Sequence, residues 1–262
     1  MNQLRLAFAD LADGLRAWPI WGMLGWQDVR QRYRRSILGP LWLTLSMGVM
    51  VGALGYVYGD LFKTPLDDYL PFLTVGFVAW NLISTLVIDS CTAFIGATGY
   101  IRQLRLPVSL YLFRLCWRNL IIFFHNALVF VAVALIFKVV PTWQLLWLLP
   151  GLAIILYTGF WSGLVLGALC ARFRDIPQVV SSLVQVVFFM TPILWKPELL
   201  TSRPVFVQEN PFFHFVELIR GPMLGNGISL QTWAVTLGCA LLGSLVAFFM
   251  FARLRRRIAF WV

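Results

Sequence analysis

Six long uncharged, apolar runs separated by short polar segments dominate this chain, and its arginines gather in every second segment. Crossing about 30 Å of hydrocarbon takes roughly 20 helical residues, and strands with open edges would leave backbone groups unpaired in lipid. The pattern therefore predicts an all-α, polytopic membrane protein with six transmembrane helices. The runs extend from Ser36 to Gly59, Tyr69 to Ile88, Asn119 to Phe137, Val139 to Ala171 and Ile176 to Trp195, with the last inside Gly221 to Ala252. Pro141 and Pro150 predict a late helix start in the fourth, and the sixth crossing is expected from about Leu230. Hydrophobic residues make up 60% of the chain and charged residues only 12%, against about 45–50% and 25% in soluble domains. The reading is one transmembrane domain over 1–262: an interfacial segment at 1–35, five spans within 36–195, an outer segment at 196–229, a sixth span at 230–252 and a tail at 253–262.

Six crossings put both termini on one side. With the termini inside, the inner segments hold every arginine except Arg203 and Arg220, while Lys63, Lys138 and Lys196 fall outside. This bias predicts a cytoplasmic N- and C-terminus. The first 35 residues lack a compact apolar core followed by a small-residue cleavage site, so the first crossing is expected to direct insertion.

The net charge of +10 surrounds membrane segments, which points to anionic headgroups and away from nucleic acid. Arginine's planar fork can also grip phosphate bidentately, so topology signalling and phosphate binding both remain open. Cys91, Cys116, Cys170 and Cys239 lack metal spacing and read as buried small hydrophobes. No HExxH, GxSxG or P-loop GxxxxGK[ST] occurs. The chain is thus expected to be neither an enzyme nor, by itself, an ATPase. Asp67 and Asp68 form an acidic pair with no third carboxylate nearby in sequence, and read as a solvated outer loop.

Within the runs, Gly159, Gly163 and Gly167 share one helix face, and Gly48, Gly52, Gly55 and Gly59 also lie at spacings of three or four. Small residues so spaced let helices approach closely. Asp89 at the inner end of the second crossing and His125 in the third make a thin proton relay. His125 is expected to hydrogen-bond a neighbouring helix, and the energy for any transport to come from elsewhere.

Three inner segments stand apart. Leu15 to Arg35 predicts an amphipathic interfacial helix, with Trp26, Val29 and Tyr33 on one face and Arg30, Gln31, Arg34 and Arg35 on the other. Thr98 to Ser109 is a basic loop, and Arg172 to Pro177 (RFRDIP) a charged turn suited to docking a soluble partner. On the outer side, Lys196 to Ser229 is long and amphipathic, which predicts short re-entrant or interfacial helices.

These residues carry a resemblance. RYRRSILGPLW (Arg32 to Trp42), RDIPQVV (Arg174 to Val180), TPILW (Thr191 to Trp195) and NPFFHFVELIR (Asn210 to Arg220) resemble, in order, motifs of the permease subunits of type-2 ABC exporters for O-antigen, capsule or teichoic acid polymers. The resemblance spans essentially the whole chain and implies a homodimer. A separate P-loop ATPase dimer, binding ATP and magnesium, would dock on its cytoplasmic face, and this chain would hold no cofactor itself. Coupling would run through Tyr100, Arg102, Arg105, Arg172, Arg174 and Asp175. A polyprenyl-diphosphate-linked polysaccharide, O-antigen above the others, would enter at Arg30, Arg32, Tyr33, Arg34 and Arg35. Its sugars would pass channel aromatics Trp42, Tyr56, Phe188, Phe189 and Trp195, behind a periplasmic gate containing Phe212, Phe213 and Phe215. The alternatives are an ABC exporter of another substrate and a membrane enzyme acting on a lipid-linked sugar.

Overall fold

The computed structural model describes residues 2–32, 39, 41–199 and 207–262. Ten α-helices occur among them. In chain order they are α1 (Asn2–Arg16), α2 (Trp18–Arg32), α3 (Leu41–Leu61), α4 (Leu66–Thr92), α5 (Thr98–Gln103), α6 (Leu110–Ile136), α7 (Leu148–Arg172), α8 (Ile176–Met190), α9 (Pro211–Met223) and α10 (Leu230–Trp261). Five of these, or their extensions into short 3-10 turns, are long and apolar enough to cross a membrane: α3, α4, α6, α7 and α10.

The fifth apolar run behaves differently. Its helix α8 stops at Met190 after 15 residues, about 22 Å at 1.5 Å per residue. Thr191 is extended (ψ 135°) because Pro192 disfavours helical backbone in the residue before it. The chain then turns through Thr191–Trp195, held by Tyr69 Oη donating to the Leu194 carbonyl and by Asn210 Nδ2 donating to Thr191 Oγ1 at 3.2 Å. In the fourth run a 3-10 turn at Trp143–Trp147 precedes α7. The helix does start late, with Pro150 in its first turn, where no backbone donor is needed.

Helix α4 is the axis of the bundle. Residues such as Leu73, Val78, Ala79 and Leu82 are buried among α6, α7, α8 and α9. The glycine face of α7 makes this possible. A Cβ on Gly159 would lie 2.9 Å from Leu86, one on Gly163 2.8 Å from Leu112, and one on Gly167 2.8 Å from Phe94. The α3 series is split: Gly55 and Gly59 press on Leu70 and Leu66 of α4, whereas Gly52 faces open space. Accordingly α3 and α8 are the least covered apolar helices, with Val49, Tyr56, Val57, Leu183 and Phe189 exposed.

The chain also folds before Leu15. Helix α1 buries Ala7 against α10 and α6, and its Gly14 abuts Ser109. Helix α10 runs past Ala252 to Trp261 without a break, so the arginine-rich tail continues the last apolar helix. Between the 3-10 turn Pro197–Leu199 and α9 lie residues 200–206, outside the described set.

Candidate functional site

Charged side chains concentrate at the two ends of α4. At the Thr92 end, α2 docks along α6 through Trp21, Gly25, Asp28 and Val29, residues spaced to share one helix face. Trp21 stacks on Phe113 with ring centroids 6.0 Å apart, and Val29 is buried against Ile121 and Ile122. Arg114 of α6 donates to Asp28 at 2.7 Å through Nε. Arg118 donates to Asp89 of α4 at 2.6 Å, and Asn119 Nδ2 to the same carboxylate at 3.1 Å. Asp89 is thus a structural ion-pair partner. Trp26, grouped with Val29 on the sequence, is instead exposed beside Trp18, Ile20 and Met23, because the α6 contact takes the Trp21–Val29 face. Arg30 is exposed near the end of α2. The backbone of α2 ends at Arg32, and the expected entry residues Tyr33, Arg34 and Arg35 lie outside the described residues.

The six expected coupling residues fall at this same end, and three of them converge. Arg102 of α5 donates through Nε to the Val262 carbonyl at 3.1 Å. Arg174 Nη2 reaches the Trp261 carbonyl at 3.2 Å. The Arg172 guanidinium lies 5.6 Å from the Trp261 ring centroid and 5.0 Å from that of Phe173. The end of α10 therefore ties the 98–103 helix to the 172–175 turn. Tyr100 stands apart from that knot, with Arg114 5.7 Å over its ring. Arg105 is exposed, and Asp175 precedes α8 without a side-chain capping bond. Trp261 carried no sequence motif; its only signal was an aromatic residue following a run of arginines.

A second knot joins α1 to both neighbours. Asp10, 8% exposed, accepts from the Ser109 and Val108 amides at 3.0 and 3.2 Å. It caps α6 from another helix, where Ser109 makes no side-chain cap of its own. Arg255 of α10 donates to Asp10 at 3.3 Å and also to the Leu6 carbonyl.

At the Leu66 end of α4 the arrangement opens. Asp67 and Asp68 occupy the first turn of α4, where carboxylates suit the helix dipole, and are not a free loop. Glu198 and Glu217 join them around a cavity of about 680 Å³ that also contains Phe72 and Phe213. The two further carboxylates come from 130 and more residues away, so the sequence offered no hint of them. Lys196 pairs with Asp68. Arg220, only 3% exposed, donates to Glu217 at 3.1 Å and stacks 4.0 Å over Phe72, while its Nε and Nη2 have no hydrogen-bond partner among the described residues. Burial pushes the Arg220 pKa down from its ordinary value, and Glu217 and Glu198 pull it back. No group of three or more metal-binding side chains occurs among the described residues.

The expected gate and channel aromatics separate. Phe212 packs 6.1 Å from Trp80 and Phe215 is buried, both beside α7, whereas Phe213 faces the acidic cavity. Trp42, Tyr56 and Phe189 lie on the open faces of α3 and α8. Phe188 is instead packed between Phe77 and Trp80, each 5.7 Å away, and Trp195 is half-buried in the turn after α8. The His125 ring bonds the Ile121 carbonyl of its own helix at 2.8 Å, and the residue meets a neighbouring helix through its backbone carbonyl, which accepts from Thr44 Oγ1 of α3 at 2.8 Å. Asn126 adds a side-chain bond between helices, donating through Nδ2 to Asn81 Oδ1 at 2.9 Å.

A protein-family model described as ABC-2 type transporter matches residues 21–224. The O-antigen export system permease protein RfbA of Klebsiella pneumoniae is 20% identical over 236 residues, covering 89% of this chain and 91% of the relative. Its namesake from Myxococcus xanthus is 26% identical over 190 residues, covering 71% and 72%. With the family model extending from within α2 to just beyond α9, the chain belongs to the ABC-2 type transporter family.

Proposed function

We propose that the chain is the membrane-spanning subunit of an ATP-driven exporter that moves a polyprenyl-diphosphate-linked polysaccharide, with O-antigen the favoured cargo, out across the bacterial inner membrane. In this reading α8 and the turn after it complete a sixth crossing, both termini are cytoplasmic, and two copies pair along α3 and α8. A separate P-loop ATPase dimer binds ATP and magnesium and docks at the Thr92 end of α4. The exposed apolar faces of α3 and α8 suit a second copy, and Trp42, Tyr56 and Phe189 suit a polymer passing between copies. The outward apolar residues of α2 suit the headgroup region, with Arg30, Arg32, Arg34 and Arg35 beside the lipid diphosphate.

The observation that carries this reading is the knot of Arg102, Arg172 and Arg174 on Trp261–Val262. A transporter driven from a partner subunit needs its docking loops to move as a unit, and this knot links two charged inner segments to one long apolar helix. That the two relatives described above are named O-antigen export permeases favours this cargo over capsule or teichoic acid. The test is deletion of the gene and restoration with variants, measuring surface polysaccharide and lipid-linked polymer retained inside. Loss at the surface with accumulation inside is expected, as is failure of the Arg172→Ala/Asp175→Ala variant at normal membrane levels. Polymer that never forms inside would assign the chain to synthesis instead.

A further inference from the structure

Helix α8 divides into three faces at about 100° per residue. Val184, Val187 and Phe188 pack against the core around α4. Val179, Leu183, Val186 and Met190 are exposed and apolar. Gln178, Ser181, Ser182 and Gln185, at i, i+3, i+4 and i+7, share a third face that is exposed, uncharged and polar. Phe189 continues it one turn on, 60% exposed. This division makes α8 more amphipathic than any of the five spanning helices. Resting on the export reading, in which α8 takes part in a crossing, we propose that the polar face is the hydrogen-bonding wall of the polymer's path. It holds water and the hydroxyls of neutral sugar residues in transit, while the apolar face beside it meets the second copy.

Solvation carries the proposal. An amide or hydroxyl facing hydrocarbon without a partner is strongly disfavoured. Serines in the other apolar helices meet this within their own helix. Ser46, Ser84, Ser90, Ser162 and Ser244 each donate to a backbone carbonyl three or four residues back. Ser181 and Ser182 make no such bond, and Gln178 and Gln185 no side-chain bond, among the described residues. From Gln178 to Phe189 this face runs about 16 Å at 1.5 Å per residue. Neither the chain itself nor lipid satisfies it, so what covers it must supply hydrogen bonds.

Sugar residues suit it in three respects. Amides and hydroxyls both donate and accept, as sugar hydroxyls do. Phe189, one turn beyond Gln185, offers a ring to the C–H face of a sugar. The two serines lie between longer side chains, so the face is concave at its middle and admits a ring. The absence of charge on α8 gives an ion or a headgroup phosphate nothing to pair with. It also keeps each contact weak, and a conduit must release what it binds. A second copy has its own surface in Val179, Leu183, Val186 and Met190, which need no hydrogen bonds.

The test places single cysteines in the full chain: Ser182→Cys and Gln185→Cys on the polar face, Leu183→Cys and Val186→Cys on the apolar one. The parent, whose own four cysteines are buried or half-buried, is the blank. Inverted membrane vesicles from polymer-making cells, supplied with ATP, are treated with a membrane-impermeant quaternary-ammonium methanethiosulfonate. Labelling is expected at 182 and 185 and not at 183 and 186, and it should be slower than in vesicles from cells that make no polymer. In cells, Gln185→Leu at equal membrane levels should lower surface polymer at least about fivefold, the scale of one hydrogen bond. Polymer should accumulate inside, and Gln185→Asn should recover most of the loss. Ser182→Cys changes one atom, so it reads the face even if Gln185→Leu fails to fold. Equal labelling of both faces, none at 182 and 185, a rate indifferent to polymer, or full export by Gln185→Leu would overturn the proposal. Oxidative cross-linking of Ser182→Cys between two copies, in place of labelling, would give the face to the second copy and overturn it too. In each of these cases, restoration of surface polymer by the wild-type gene leaves the export reading standing. A deletion that leaves surface polymer intact would sink the export reading, and this wall with it.

Discussion

The two ends of α4 carry acidic residues in opposite circumstances. Asp89, near Thr92, is held by Arg118 and Asn119 within a cluster that also joins α2 to α6 through Asp28 and Arg114. At the Leu66 end, Asp68 meets Lys196, Asp67 forms no ion pair among the described residues, and both face a wide cavity. The same residue type therefore does two jobs. Where each carboxylate faces an arginine from another helix, charge fixes helix positions. Where, among the described residues, carboxylates outnumber cations and space remains, charge does not lock one helix to another. A membrane protein has little hydrophobic force between its helices once they are in lipid, so polar locks at one end have much to do.

If that contrast is right, breaking the locked end should cost most. Arg114→Ala removes one partner of a largely buried pair, the side chains being 20% and 16% exposed. Such a loss leaves Asp28 uncompensated, and a destabilisation of about 2–3 kcal/mol is expected after allowing for partial solvent access. Thermal unfolding in detergent should show it, and protease should reach residues 17–32 sooner. Asp28→Ala should give a similar loss, with the double variant little worse than either, since the two share one interaction. Additive losses would mean that α2 is held by its apolar contacts alone.

The next effect belongs to Asp10. Its carboxylate satisfies two amides at the start of α6 and meets Arg255. Asp10→Ala should cost about 1–2 kcal/mol, the scale of a lost helix cap. Hydrogen exchange at Val108 and Ser109 should quicken while the middle of α6 stays protected. Unchanged exchange there would show that the capping bonds contribute little.

How much of this could be read in advance differs by kind of interaction. The apolar runs name their helices directly, because burial in lipid demands length and composition that little else requires. The glycines of α7 announced close packing, since their spacing is a property of one helix face. The end of α8 was legible too, in the Pro192 that follows Thr191, but the long apolar run obscured it. Pairings between distant segments left no local trace. Asp28 with Arg114 and Asp10 with Ser109 are joined only by tertiary packing, which also brings Asp67 and Glu217 to one cavity. Helix α1 was missed because its mixed sequence lacks the unbroken apolarity used to find the others. Trp261 carried no motif, and only the fold brings Arg172 and Arg174 to it.

Trp261→Ala tests whether that contact serves coupling. The stacking of one arginine on its ring is worth about 0.5–1 kcal/mol, so the melting temperature should fall only slightly. Export, measured as surface polymer at equal membrane levels, should fall several-fold, because the 172–175 turn loses the Arg172 stack on the end of α10 and keeps only the backbone bond of Arg174. Trp261→Phe should recover most of it. Equal losses of stability and export would make the ring a packing residue only.

The smallest effect is expected at the open end. Lys196 is 22% exposed but its partner Asp68 is 65% exposed, and pairs in such solvent contact contribute little. Lys196→Met should therefore change stability by less than about 1 kcal/mol, since the methionine stem retains the contact with Phe72. High salt should not separate the variant from the parent, as there is little attraction to screen. A loss as large as that of Arg114→Ala would erase the contrast between the ends. It would mean that Lys196 clamps the turn after α8 onto α4 as firmly as Arg114 holds α2 on α6.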